Sequence, residues 1–209
     1  MDKPDLSKVQ VEVKWHEDMW QAIKDATLTT IGKDKGKYPD SAWKIKMLMA
    51  EHSPIRIGHI IIKIKNCPSF VITHILRHSI GVVPFISTFR SDRVDYDEVP
   101  NRNTLQDATF DINFQAFINI SRKRLCNCAS YETRYVWQKV LEAIKGIEPE
   151  LYAVCVPECV RRNGMCPEFK SCSYNKTEKF EAELAHYQEL VVDQINDQTL
   201  IKCWVEEDE

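Results

Sequence analysis

Six glycines are spread through 209 residues, at positions 32, 36, 58, 81, 146 and 164, and no two of them are separated by a single residue. Neither GxGxxG nor GxxxxGK(S/T) can therefore be written anywhere in the chain, and any nucleotide or flavin must be held some other way. The length suits one domain, or one domain with an appendage. Apolar residues make up 44% of the chain, enough for a core, which excludes wholesale disorder. With 28 Lys+Arg against 31 Asp+Glu the net charge is −3, so no global basic field exists and non-specific nucleic-acid binding is not expected. There is no run of about 18 apolar residues, and the start MDKPDLSKVQ lacks an apolar signal core. The expectation is a cytoplasmic protein without a membrane span or secretion signal. Eight cysteines in such a chain point to metal or buried thiols rather than to a disulfide framework.

Residues 9–13 alternate apolar and polar, as in a half-buried strand, and 17–31 carry Met19, Trp20, Ile23, Ala26 and Thr27 at helical spacing. After a Lys/Gly/Asp-rich loop, Asp40 or Ser41 caps a helix through Trp43, Ile45, Met47 and Leu48 that Pro54 closes. The β-branched stretch 55–65 reads as a strand. Pro68 opens a helix running to about Ile80. The polar stretch 81–107, broken by Pro84 and Pro100, reads as a long functional or mobile loop. Residues 108–147 read as one long helix or two abutting ones, ended by Pro149. A Cys-rich segment, 155–172, an amphipathic helix over about 177–195 and an acidic tail complete the chain. The fold class is α+β: one domain over 1–150, with 151–209 as a dependent Cys-rich appendage.

Chemistry concentrates between Thr73 and Arg93, where cationic and hydroxyl side chains gather at a helix end and in the loop after it. Arg offers planar bidentate contacts to phosphate, and Ser hydroxyls and loop N–H groups complete an anion shell. A solvated helix end with a charged loop is the plainer reading. Arg77-His78-Ser79, seven residues, then Ser87 resembles the signature of flavin-dependent thymidylate synthases, Arg-His-Arg-(seven residues)-Ser. Upstream, Glu51-His52-Ser53-Pro54, a β-rich stretch, Pro68 and Phe70-Val71 are similar to the family's His-containing loop, strand and helix. Downstream, Asn113, Asn119, Arg124 and Ala129-Ser130-Tyr131-Glu132 resemble its Asn-rich helix, catalytic Arg and following segment. The matching blocks are discontinuous and fall within 45–150.

The resemblance implies an antiparallel sheet flanked by helices and C5 methylation of deoxyuridylate (dUMP). Methylenetetrahydrofolate would give the carbon, reduced FAD the hydride, and NADPH would reduce the flavin. It implies a homotetramer with flavin and nucleotide at subunit contacts. Carried over by position, His52, Ser53, Arg77, His78, Ser79, Asn113 and Asn119 would contact FAD. His74, Arg77, Ser87, Thr88, Arg90 and Arg124 would contact dUMP, with Arg124 as the catalytic residue that favours ionisation at pyrimidine N3. Four departures stand out: Ser79 replaces an Arg, Pro84-Phe85 replace an Asn-Glu pair, His74 replaces a Gln, and Phe89 stands where an Arg is expected, with Arg90 one place late. The short spacing from Ser87 to Arg124 removes a further phosphate-contacting Arg, for which Arg93 or Arg102 could substitute. These changes motivate an alternative substrate, another pyrimidine nucleotide, or delivery of hydroxymethyl instead of methyl.

Ser87 has no neighbouring Asp/His pair, so substrate hydrogen bonding outweighs nucleophilic catalysis. His52 and His59 could each be structural. In Arg122-Lys123-Arg124 the side chains diverge by about 100° per residue, so only one or two can face a pocket. Cys128, one turn beyond Arg124, reads as a small buried hydrophobe. Cys155, Cys159, Cys166 and Cys172 could close a tetrahedral zinc shell, with Cys126 as the alternative ligand should Cys155 point away. An iron–sulfur cluster, buried free thiols and redox disulfides remain alternatives for these residues. A zinc-bearing nucleic-acid or protein-interaction module is the rival reading for the whole chain.

Overall fold

The computed structural model describes residues 3–15, 18–95 and 99–189. Four antiparallel strands form one sheet: β1 (Gln10–Trp15), β2 (His59–Pro68), β3 (Val82–Ile86) and β4 (Leu105–Asn113), in the order β1-β2-β4-β3. The period of two decides the faces. Ile60, Ile62 and Ile64 of β2 pair with Ile112, Phe110 and Ala108 of β4, and all six are buried. The alternate positions, His59, Ile61 and Lys63 with Thr109 and Asp111, are half-buried on the other face. There His59 Nδ1 lies 2.8 Å from Asp111 Oδ1, so His59 has a structural partner.

The helices are α1 (Trp20–Thr29), α2 (Ser41–Ala50), α3 (Ser69–Leu76), α4 (Phe114–Arg124), α5 (Tyr131–Lys145), α6 (Pro149–Val154), α7 (Glu158–Arg161) and α8 (Glu178–Tyr187). Caps set several starts. The Asp40 side chain accepts from Trp43 N, Asn113 from Ala116 N and Ser130 from Thr133 N, each satisfying a first-turn donor. The largest fully buried side chains include Trp20, Trp137, Phe110, Phe114 and Phe117, and Trp137 Nε1 donates to Ser121 Oγ at 2.9 Å. Leu151, Val154, Val160, Phe180 and Tyr187 belong to this same core, so residues after 150 pack onto it. Among the described residues no helix is long and apolar enough to cross a membrane.

Several sequence expectations need correction. Residues 108–113 are the inner half of β4 rather than helix, because Ala108, Phe110 and Ile112 face the core with a period of two. The expected long loop holds β3 and the start of β4. Pro84 is tolerated in β3 because that strand lies at the edge of the sheet. Residues 53–57 form a 3-10 turn, so the strand expected from 55 begins at His59. α3 stops at Leu76 rather than Ile80, and Gly81, with φ 76°, turns the chain into β3. A Cβ at Gly81 would lie 2.5 Å from Asn113 Nδ2. The expected helix 177–195 is seen as α8; residues 190–195 and the acidic tail lie outside the described residues.

Candidate active site

α3 is short and apolar on its inner side, with Val71, Ile72 and Ile75 buried, and this fixes where its C-terminal cations emerge. Its first-turn amides are satisfied by a loop: Ser69 N donates to Thr104 O at 3.0 Å and Phe70 N to Arg102 O at 3.2 Å. That docking lays the Arg102 guanidinium 4.5 Å from the Phe70 ring centroid, and Phe70 in turn meets the His74 ring edge-on at 5.6 Å. His74 Nδ1 is 2.8 Å from Thr133 Oγ1, which is 2.8 Å from Ser130 Oγ at the start of α5. Arg124, the last residue of α4, donates to the His74 backbone carbonyl. Three helices thus meet at His74.

The electrostatics follow from crowding of cations. Burial lowers the His74 pKa first, and the charges of Arg124, Arg77 and Arg102 lower it further, with Glu132 opposing. Burial, then Arg124 and Lys123, push His78 down to about 4. Burial and Arg77 lower that of Arg124, which stays charged as guanidinium does in proteins. A neutral imidazole pair beside three guanidinium groups is a site short of negative charge. Two buried polar atoms of these residues, His78 Nε2 and Arg124 Nε, have no hydrogen-bond partner.

Among the residues expected from the sequence, His74, Arg77 and Arg124 are brought together, with His78 beside Arg124. Arg102 joins them, so of the two substitutes considered it is the one at the site. The other expected residues have local roles. Asn113 caps α4 and packs against Gly81; Asn119 Oδ1 accepts from Arg122 Nη1 at 3.3 Å. Ser53 opens the 3-10 turn, next to exposed His52, and Ser79 is exposed beyond His78. Ser87 Oγ accepts from Asp107 N at 3.1 Å, Thr88 Oγ1 accepts from Arg90 N at 3.1 Å, and Arg90 is paired with Asp92 at 2.6 and 2.9 Å. Thr133 and Ser130 were not expected as site supports. The Ser-x-x-Thr spacing at the start of α5 is the signal that could have found them.

The cysteines fall differently from the expected set. Cys126, Cys128 and Cys172 bring their Sγ atoms within 4.8 Å of one another. Cys128 is exposed, which corrects its reading as a buried hydrophobe. Cys155 is buried beside Ser121 and Arg122, and burial pushes its thiol up to about 12. Cys166 is half-buried and is not part of the three-thiol group. A cavity of about 930 Å³ lies between α5, α6 and α8, and none of the expected flavin or nucleotide residues lines it. In the His74–Arg124 cluster, Arg77 and Arg102 are exposed while His74, His78 and Arg124 are half-buried.

An α+β chain with an antiparallel sheet flanked by helices, and a basic cluster at the end of α3, defines a fold with known relatives. The chain has the fold of the flavin-dependent thymidylate synthases and resembles that family. The structure of the Helicobacter pylori enzyme complexed with FAD and dUMP superimposes with a TM-score of 0.55 and 12% identity, covering 69% of this chain and 99% of that one. A second structure of Helicobacter pylori thymidylate synthase X with FAD and dUMP gives 0.57 and 13%, covering 71% and 99%. In sequence, 59 residues are 36% identical to a flavin-dependent thymidylate synthase of Clostridium tetani (strain Massachusetts / E88), 28% of this chain and 23% of that protein. The match thus spans about a quarter of that relative's length. No family model matches the chain.

Proposed function

We propose that this chain is a flavin-dependent thymidylate synthase-type methyltransferase, converting dUMP to dTMP with methylenetetrahydrofolate and NADPH. The observation that carries this reading is the convergence of Arg77, Arg102 and Arg124 around His74, within a fold whose solved relatives hold FAD and dUMP. The donor set fits such ligands. Arg124 Nε and His78 Nε2 are buried and unpartnered, and a phosphate, a pyrimidine carbonyl or a flavin ring offers the complementary atoms. FAD, when bound, supplies the hydride that turns the transferred methylene into a methyl group.

The rest falls to the chain's own side chains. Arg124 is held by the His74 carbonyl, and a guanidinium fixed in this way would stabilise the negative charge that builds on the pyrimidine as C5 becomes nucleophilic. No enzyme thiol is then needed to activate the ring. Arg77 and Arg102 supply the counter-charge for phosphate, and Thr133 keeps the His74 ring oriented. Neutral His78 offers one donor and one acceptor. The reading includes a cytoplasmic homotetramer with flavin at subunit contacts. A second reading, another pyrimidine nucleotide or a hydroxymethyl product, is favoured by Pro84-Phe85, where Phe85 is 63% exposed and the family's carboxylate is absent.

Incubation with dUMP, methylenetetrahydrofolate, FAD and NADPH, followed by mass spectrometry of the nucleotide, tests both. A methyl gain supports the first reading and a hydroxymethyl gain the second. An unchanged nucleotide across a panel of pyrimidine nucleotides, from protein that binds no flavin, overturns the enzyme reading.

A further inference from the structure

We propose that Cys126, Cys128 and Cys172, with Cys159 as the fourth ligand, form a structural zinc site that staples the Cys-rich segment to the turn between α4 and α5. This inference does not depend on the proposed activity.

A zinc ion with Zn–S bonds of about 2.3 Å in a tetrahedron sets its sulfurs about 3.8 Å apart. Three Sγ atoms already within 4.8 Å of one another need to close by no more than about 1 Å to reach that spacing. The backbone is arranged as it is around metal-bound thiolates. Cys128 N donates to Cys126 Sγ at 3.4 Å, and Ala129 N donates to Cys126 O at 2.9 Å, closing a tight turn that presents both thiols on one side. Cys159, in α7, is buried near Cys126 and Cys172 but outside the group within 4.8 Å, so its thiol would have to move in to complete the shell. Four thiolates complete a closed, structural type of shell, for which zinc is the usual choice because it brings no redox chemistry.

The segment also needs such an anchor. Between α7 and the turn before α8, residues 165–173 hold no helix or strand, and Met165 and Phe169 are exposed instead of buried. Among the described residues this stretch is held to α4 and the turn after it by Lys123 Nζ to Glu168 Oε1 at 2.8 Å and Cys128 Sγ to Lys170 O at 3.6 Å. An exposed ion pair of that kind contributes little. A metal bound by thiols from both sides would supply folding free energy for the segment. It would also brace residues 125–130, which connect Arg124 to the Ser130–Thr133 pair that orients His74.

The test is metal analysis of the full chain purified under reducing conditions, beside Cys→Ser variants and thermal denaturation with and without a strong chelator. About one zinc per chain is expected, with a clear loss of thermal stability on chelation. Cys128→Ser and Cys172→Ser should lose the metal, whereas Cys155→Ser and Cys166→Ser should keep it. Should the first two variants not fold, cobalt(II) exchanged into the wild-type chain should show the visible bands of a tetrahedral thiolate site. Less than about 0.2 metal equivalents per chain, an iron–sulfur chromophore, or a disulfide joining Cys172 to Cys126 or Cys128 would overturn the proposal. Full zinc retention by Cys159→Ser under chelator challenge would overturn the fourth ligand.

Discussion

At the scale of single residues, the run Arg122-Lys123-Arg124 shows how one helical turn distributes three like charges. Arg122 turns to Glu51 and Glu158, Lys123 to Glu168, and Arg124 to the carbonyl of His74. Glu51 gathers Arg122, Arg161 and Gln115, and although burial opposes ionisation, those partners hold its carboxyl below the usual range. Arg122 is therefore a brace between the end of α2, α4 and α7, whereas Arg124 lies against α3 in the His74 cluster. Arg124→Ala is expected to lower kcat by at least about 100-fold while circular dichroism and flavin affinity stay near wild type. Near-normal turnover would remove Arg124 from the mechanism. His78 gives a pH signature. Its folded pKa of about 4 lies below the ordinary 6.5, so within that window the unfolded chain binds a proton that the folded chain refuses. Stability should fall as pH drops through the window and level off beneath it. Melting curves of His78→Gln should show a shallower acid slope than wild type, the remainder reflecting His74, whose pKa is shifted the same way. An unchanged slope would mean that His78 is not desolvated.

At the scale of elements, the start of α6 carries the opposite sign. Trp20 Nε1 donates to Glu148 Oε2 at 2.9 Å, and burial raises the Glu148 pKa from 4.5 to about 7 despite that bond and the charge of Lys44. Here the folded chain holds a proton that the unfolded chain releases, so stability is full below 4.5 and declines as pH rises through about 7. Glu148→Gln keeps a neutral acceptor for Trp20. It should melt with wild type near pH about 4 and several degrees higher above pH about 8; lower melting at both pH values would mean that Lys44 needs the ionised partner. Element identities were legible where periodicity and caps agreed, as for α2 behind Asp40 and β1. β4 was missed because Ala108, Phe110 and Ile112 run straight into Phe114, Phe117 and Ile118, so strand and helix periods merge at Asn113. The helix-borne part of the site, His74, Arg77, His78 and Arg124, was readable because a motif and one helix end place it. Arg102 was legible only as one of two substitutes, and Thr133 carried only its Ser-x-x-Thr spacing, because both reach His74 through tertiary docking; Cys128 meets Cys172 across distant segments, which no local spacing shows.

At the scale of the whole molecule, the candidate site has Arg77 exposed at its edge and exposed apolar residues following it in the chain. Ile80, three residues beyond Arg77, is 91% exposed, and Val83 and Phe85 project from the edge strand β3 on the face away from the core. Exposed apolar side chains gathered on one short stretch, Ile80 to Phe85, are typical of a surface that another subunit covers. The edge strand adds unpaired backbone groups to the same region, although Pro84 limits direct strand addition there. If the proposed function holds, a second copy packed over Ile80 and β3 would help enclose a flavin that this chain has no glycine-rich cradle to hold. The protein should therefore sediment as a homo-oligomer, a tetramer on the family resemblance. Phe85→Asp should shift it toward smaller species and weaken flavin binding by at least about tenfold, while circular dichroism shows the fold retained. A wild-type monomer that binds FAD tightly would show that one chain encloses the cofactor alone, and the exposed face of β3 would then need a different partner.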